Sequence, residues 1–164
     1  MVVLGVDPST AATGWGILDG DSRNARAVDF GTVRASSRKP LDERLHLMHT
    51  GLLEIMRSVP VQQVVLESPF LARNVKTAFA LGQVRGVILL AARQTDLPVC
   101  EYAPLEIKRA AVGYGTADKD QVAHMMTRIL GLRETPDHDA ADALAAAWCH
   151  LVRSARPVRV GDAS

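Results

Sequence analysis

Four carboxylates stand at positions where local folding does not require an acid. Asp7 follows the apolar run VVLGV and Glu67 follows the strand-like run VQQVVL, so both acids emerge where a buried strand is predicted to end. Asp139 and Asp142 lie three positions apart in DHDAADALA and therefore share one face of a helix. The helix macrodipole explains acids in a first turn, but Asp142 lies beyond that turn, among alanines.

These acids meet in space if the helix that carries Asp139 and Asp142 packs across the sheet. Ligand sites of α/β proteins lie at the carboxyl edge of the sheet, where Asp7 and Glu67 are expected. Carboxylates held close together raise one another's pKa, so a cluster that stays ionised at neutral pH implies bound cations. Hard oxygen ligands select Mg²⁺ or Mn²⁺ over Zn²⁺. Two such ions about 3.5–4 Å apart serve phosphodiester hydrolysis, which is the chemistry that we predict.

Asp7 taken by itself has a simpler explanation. An aspartate before a proline commonly starts an Asx-turn, and Asp7 is followed by Pro8. The catalytic interpretation of Asp7 therefore depends on the other three acids.

Hydrophobic periodicity predicts an α/β fold that would position these acids. Strand patterns cover 2–6, 13–18, 25–35, 61–66 and 97–102, and the first three are expected to be antiparallel. Helical patterns predict five helices. The first begins at about Leu41, the second covers 74–94, the third begins at Pro104, the fourth covers 118–130 and the last follows Thr135. We expect Thr135 to be the N-cap of the last helix and Pro136 its first residue. The helix over 74–94 has a wider apolar surface than one sheet contact requires, so we expect it to pack against a second subunit.

The 164 residues predict one domain, 1–155, followed by a short basic tail, 156–164. A hydrophobic fraction of 48% with 4% aromatic residues indicates an aliphatic core. Cys100 and Cys149 lack CxxC spacing, which favours two reduced thiols.

We expect a cytoplasmic protein with no membrane segment, because no signal-like N-terminus is evident and no apolar run approaches about 18 residues. A net charge of +1 argues against a strongly electrostatic nucleic-acid binder, although acids gathered at one site would leave the surrounding surface basic.

The sequence resembles the RuvC family of bacterial Holliday-junction resolvases over nearly all of its length. The matching stretches are LGVDPSTAATGWG, LESPFLARNVKTAFALGQVRG, EYAPLEIKRAAVGYGTADKDQV and DHDAADALA. The resemblance implies a ribonuclease-H-like mixed five-stranded sheet flanked by helices and a homodimer. It also implies paired, symmetric, metal-dependent nicks across a four-way DNA junction, with a preferred short sequence containing TT. The implied role is in recombination and repair, in partnership with the RuvA–RuvB branch-migration complex.

Particular residues acquire roles from this resemblance. It implies that Asp7, Glu67, Asp139 and Asp142 are the catalytic acids and bind Mg²⁺ or Mn²⁺, two ions per subunit. Phe70 falls where the family places an aromatic side chain in the substrate cleft, where it could stack on an unpaired base. Lys108 and Lys119 fall where the family places basic residues facing DNA. Further candidates for binding phosphate are Arg73, Lys76 and Arg85.

Two positions depart from the family pattern. The turn after Asp7 reads PST where the family often has a glycine, which bears on how closely its backbone approaches a ligand. His138 precedes the final acidic pair at a position that the family does not always fill with histidine. Metal ligation, proton transfer to the leaving oxygen and simple occupancy of the first helical turn stay open for His138, and we favour a supporting role.

Three other functions stay open at this stage. One is a nuclease of the same fold that acts on RNA or ordinary branched DNA. Another is an ATPase, because VDPSTAATGWG faintly resembles the phosphate-binding hairpin of actin-like and sugar-kinase ATPases; those proteins need two such domains, and this chain has room for one. The last is a DNA-binding protein without cleavage, which would have little use for four acids that repel phosphate.

Overall fold

A computed structural model of the chain describes residues 1–68 and 74–155. Its strands are β1 (Val2–Asp7), β2 (Ala12–Asp19), β3 (Arg26–Arg34), β4 (Gln63–Glu67) and β5 (Val99–Tyr102). Its helices are α1 (Leu41–Ser58), α2 (Val75–Gln94), α3 (Pro104–Val112), α4 (Lys119–Leu130) and α5 (His138–Ser154). Every strand and helix that the periodicity predicted is present in these residues.

The strands form a single mixed sheet in the order β3-β2-β1-β4-β5. β1 pairs antiparallel with β2, which pairs antiparallel with β3, while β4 is parallel to both β1 and β5. β1 is the central strand, and its side chains Val3, Leu4 and Val6 are fully buried. The predicted mixed five-stranded sheet is therefore confirmed.

Helices cover both faces of this sheet. α5 packs on β1 and β2, and α3 and α4 pack in turn on α5. The side chains of this layer form one core cluster that includes Val3, Val65 and Leu144. The opposite face is covered by α1 and α2, whose Met48 and Ile88 share a second cluster with Leu4 and its neighbours. The sheet thus fixes α5 on one side and α2 on the other.

α5 lies unusually close to the sheet because glycines face it. A Cβ atom built on Gly5 would be 1.9 Å from the backbone oxygen of Ala143, and one on Gly14 would be 2.0 Å from the backbone oxygen of Asp139. A side chain at either position would have to push α5 away. These glycines therefore determine the distance between α5, including Asp139, and the strands β1 and β2.

The start of α5 differs from the sequence prediction. Thr135 is not the N-cap and Pro136 is not the first helical residue, because the helix begins at His138 with Asp137 as its cap. The Oδ1 atom of Asp137 accepts a hydrogen bond from the backbone N–H of Ala140 at 2.9 Å. Aspartate is a stronger N-cap than threonine, which accounts for the later start.

α2 is more apolar than the sequence analysis expected. Among the described residues it is the one helix long and apolar enough to suit a membrane span, a property that core helices of soluble proteins share. The sequence analysis expected no apolar run near 18 residues, and Val75–Gln94 is interrupted by Lys76, Arg85 and Arg93, so it meets the length and composition of a span only on average. Arg85 within α2 is occupied by contacts inside the protein, as described below.

We expect Gly5→Ala to lower the free energy of unfolding by about 2–4 kcal/mol, because the new methyl group meets backbone atoms that cannot rotate away. Gly31→Ala is the matched control in the same sheet, since its Cβ would lie at an ordinary 3.4 Å from the Trp15 ring. Urea unfolding of the two variants checks this prediction, and equal stabilities would contradict it.

Candidate active site

A cleft of about 270 Å³ opens at the carboxyl edge of the sheet. Its walls combine three of the four predicted acids with both of the lysines that the family resemblance indicated. The lining residues are Asp7, Glu67, Pro104, Ile107, Lys108, Lys119, Val122 and Asp142. Three of the four acids that were expected to meet are therefore brought to one cleft from distant parts of the chain.

The strands and α5 together explain this convergence. Asp7 ends β1 and Glu67 ends β4, and the preceding residues Val6 and Leu66 are register partners, so the two acids leave adjacent parallel strands at the same edge. Asp142 reaches the cleft from α5, which crosses this face of the sheet. Asp139 lies at the margin of the cleft and does not line it, although its charge adds to the repulsion on Asp7.

Burial and mutual repulsion perturb the acids of the cleft. Burial raises the pKa of Asp7 to about 7, and repulsion from Asp142 and Glu67 adds to the effect, while the ammonium group of Lys119 opposes it. Burial also raises the pKa of Glu67, again with repulsion from Asp142 and with opposition from Lys108 and Lys119. Carboxyl groups shifted in this way by desolvation and like charge are typical of sites that bind cations or transfer protons.

Lys119 forms ion pairs with two of the predicted acids, Asp142 and Asp139. Its Nζ atom lies 3.1 Å from Oδ2 of Asp142 and 3.9 Å from Oδ1 of Asp139. Partial burial alone would lower the pKa of Lys119, but the hydrogen bond to Asp142 and attraction by Asp142 and Asp7 raise it above its ordinary value. Across residues 1–68 and 74–155, no three His, Cys, Asp or Glu side chains lie close enough to enclose an ion by themselves. Lys119 therefore provides the closest positive charge to Asp142 in this structure.

The turn that follows Asp7 is held by contacts that the sequence did not reveal. The buried hydroxyl of Thr13 donates to the backbone oxygen of Ser9 at 2.9 Å and accepts from the backbone N–H of Ser9 at 3.3 Å. Arg44 on α1 donates to the backbone oxygen of Thr10 at 3.0 Å. The turn carries no glycine, and these bonds fix its backbone instead.

Arg85 holds the other strand end. Its Nη1 atom donates to the backbone oxygen of Glu67 at 2.7 Å, its Nη2 atom pairs with Glu101, and its side chain is only 13% exposed. Arg85 is a sequence candidate for binding phosphate, but its guanidinium is instead used within the protein, where it holds the backbone of Glu67. An arginine in an apolar helix gave no signal that could distinguish these two uses.

The remaining predicted residues lie at or beyond the edge of the site. The Nε2 atom of His138 is 2.8 Å from Oδ1 of Asp120 on α4, and His138 does not line the cleft. Lys76 is exposed in the first turn of α2 and does not line the cleft either. Phe70 and Arg73 lie outside the residues that the structure describes.

Comparison with known proteins identifies the family. A protein-family model described as crossover junction endodeoxyribonuclease RuvC matches residues 3–150. The chain belongs to the RuvC family. The resemblance drawn from the motifs around the acids is therefore confirmed, and these motifs lie within the matched residues.

Individual RuvC proteins match over most of their length. RuvC of Halorhodospira halophila is 47% identical over 156 residues, which cover 95% of this chain and 93% of that protein. RuvC of Magnetococcus marinus is 40% identical over 149 residues, covering 91% of this chain and 83% of that protein. The solved structure of T. thermophilus RuvC in complex with Holliday junction substrate has a TM-score of 0.87 at 35% identity and covers 94% of each chain. The predicted ribonuclease-H-like fold of this family is thereby confirmed.

The raised pKa of Asp7 predicts how stability depends on pH without divalent metal. Between its ordinary value of 3.8 and its folded value of about 7, folded Asp7 holds a proton that the unfolded chain releases. Asp7 therefore makes the folded state progressively less stable as pH rises from about 4 to 7, and this loss persists above pH 7. We expect Asp7→Asn to raise Tm in chelator by at least about 5 °C at pH 8 and to leave it nearly unchanged at pH 4.

Calorimetry at both pH values checks this prediction, with Asp29→Asn as the control. Asp29 is an exposed acid of β3 and does not line the cleft. An equal rise for both variants at pH 8, or a rise for Asp7→Asn that is the same at both pH values, would contradict it.

Proposed function

We propose that this chain is a structure-specific endonuclease that resolves Holliday junctions by paired, symmetric, metal-dependent nicks in recombination and repair. The observation that carries the proposal is the cleft, in which Asp7, Glu67 and Asp142 face Lys108 and Lys119 in a chain of the RuvC family. The similar T. thermophilus protein is known in complex with Holliday junction substrate, which supports four-way DNA as the substrate here. A cytoplasmic location and partnership with the RuvA–RuvB complex are part of the proposal.

The donor chemistry of the four acids suits Mg²⁺ or Mn²⁺, although their side chains would have to draw closer together to enclose an ion. All candidate ligands in the cleft are carboxylate oxygens, which these hard cations prefer. Burial and repulsion oppose ionisation of Asp7 and Glu67, and nearby divalent charge would favour it. We therefore assign two ions per subunit to Asp7, Glu67, Asp139 and Asp142. When bound, such ions supply activation of a water molecule and stabilisation of the leaving oxygen in phosphodiester hydrolysis.

The chain's other residues position the substrate around these acids. Lys108 of α3 and Lys119 of α4 both line the cleft and would bind phosphate oxygens near the scissile bond. Lys76, which is exposed in the first turn of α2, and Arg73 would bind further phosphates of the junction. Phe70 follows Glu67 by three residues and would stack on an unpaired base at the junction centre.

His138 has a supporting role in this proposal. Its contact with Asp120 joins the first turn of α5 to the first turn of α4, which carries Lys119. The pair is exposed to solvent. It would help to hold the first turns of α5 and α4 next to each other without contacting the substrate. This assignment is compatible with the family's variation at the position.

A homodimer would supply the two sites that paired nicks require. α2 presents an exposed apolar face on which Val75 is 83% and Phe79 is 69% exposed, with Leu89 and Leu90 exposed farther along. Gly82 lies between these residues with open space around it, so another backbone could approach closely there. Contiguous apolar surface of this kind is typical of subunit interfaces.

Cleavage of a labelled four-way junction tests the proposed function. We expect symmetric nicks with Mg²⁺ or Mn²⁺, none with chelator, and none in a matched linear duplex. Asp142→Asn should lower the cleavage rate by at least about a hundredfold while junction binding persists, because it removes a ligand that lines the cleft. Glu134→Gln, an exposed acid outside the cleft, is the control and should cleave normally. Junction binding without cleavage under any metal would contradict nuclease function, and equal cleavage of junction and duplex would contradict junction specificity.

Charge on α2 tests the proposed dimer. We expect Phe79→Glu to convert a dimer to a monomer, because a carboxylate in an apolar interface loses its hydration. Val28→Glu is the matched control, since Val28 is an exposed apolar residue on β3, away from α2. Sedimentation velocity at micromolar concentration measures the mass. A monomeric wild-type protein, or a Phe79→Glu variant that stays dimeric, would rule out this interface.

A further inference from the structure

The ammonium group of Lys119 lies where the acids of the cleft most need positive charge. It contacts Asp142 at 3.1 Å and Asp139 at 3.9 Å, and it is among the charges that oppose the repulsion on Asp7 and Glu67. Lys108 lines the same cleft and acts on Glu67, but none of the ion pairs among the described residues joins it to an acid. The two lysines are therefore not equivalent.

The backbone around Lys119 directs it toward these acids. Lys119 is the first residue of α4, directly after the N-cap Asp118. Asp118 and Gln121 form a reciprocal capping box, with hydrogen bonds of 2.8 Å and 2.9 Å, and the preceding Ala117 is buried. The start of α4 is thus anchored from both sides. Only the side chain of Lys119 is free to change position.

That side chain has a route out of the cleft. It is 57% exposed, whereas its partner Asp142 is 22% exposed. Rotation about its four methylene carbons can move the ammonium group into solvent without moving α4. The contact with Asp142 is therefore a displaceable ion pair and not a buried structural one.

We propose that Lys119 is the internal counter-ion of the acid cluster and that divalent metal must displace its ammonium group from Asp142 and Asp139. The inference rests on the proposed function only in assigning the metal to these acids. The displaced ammonium group then becomes available to a DNA phosphate, so one residue serves the cluster before metal binds and the substrate afterwards. Displacement by metal would free the donor that now faces Asp142 at 3.1 Å, and that donor could then face a phosphate oxygen.

Metal titration without DNA tests this exchange. Mn²⁺ and Mg²⁺ are titrated by calorimetry into the wild-type protein, Lys119→Met and the matched control Lys108→Met, and Tm of each is measured in chelator. We expect Lys119→Met to bind metal about two- to fivefold more tightly than the wild type, because the metal no longer has to break a partly exposed ion pair. Its Tm in chelator should fall, because Asp142 and Asp139 lose their counter-ion. Lys108→Met should show clearly smaller changes in both measurements.

The outcomes separate this inference from the proposed function. Metal binding that is unchanged or weaker in Lys119→Met overturns the counter-ion role. Equal changes in the two lysine variants overturn it as well, because they would show only the general loss of positive charge. Failure of the wild-type protein to bind either metal would contradict the acid site itself and the inference with it. A second readout is the ¹⁵N NMR signal of the Lys119 ammonium group, which should shift on adding Mg²⁺ to the wild type, and an unshifted signal at saturation counts against displacement.

Discussion

Repulsion among partly buried carboxylates is the constraint on which this structure depends. Asp7, Glu67 and Asp142 share a cleft in which burial and like charge both oppose ionisation. A fold that places acids in this way gains nothing in stability from them, so their presence must serve another purpose. Much of the surrounding structure limits the cost: Lys119 supplies positive charge, and Arg85 holds the backbone of Glu67 in place. Strain of this kind is characteristic of functional sites in otherwise consistent folds.

The described fold keeps the acids together through backbone contacts more than through side-chain contacts. Adjacent parallel strands bring Asp7 and Glu67 to one edge, and α5 brings Asp142 over that edge. The turn after Asp7 is fixed by Thr13 and Arg44. Most of these contacts come from elements distant in sequence, so the site exists only when the sheet and both of its helical layers have formed.

The sequence was informative where a residue conflicted with its surroundings. Asp7 and Glu67 end apolar strands, and Asp142 interrupts a run of alanines. The sequence predicts that these three acids and Asp139 converge, and the three line one cleft while Asp139 does not. The sequence was less informative where one side chain could bind several different partners. Arg85 could equally have bound phosphate, and only tertiary structure shows that it supports Glu67. The start of α5 was misplaced for a similar reason, since neighbouring residues can all act as caps and the choice depends on energies that differ little.

The close approach of α5 to the sheet also bears on the size of ion that the site can accept. At Gly5 and Gly14 the helix backbone rests directly on the strands, with no side chain between them to compress or rearrange. The backbone separation between Asp7 and the acids of α5 is therefore fixed, and only rotation of side chains can adjust the oxygen positions. For the metal site that we propose, a rigid frame of this kind would favour a small cation with bonds of about 2.0–2.1 Å over Ca²⁺, which needs more ligands at about 2.3–2.6 Å. Discrimination by ionic radius would then reside in two glycines that never touch the ion.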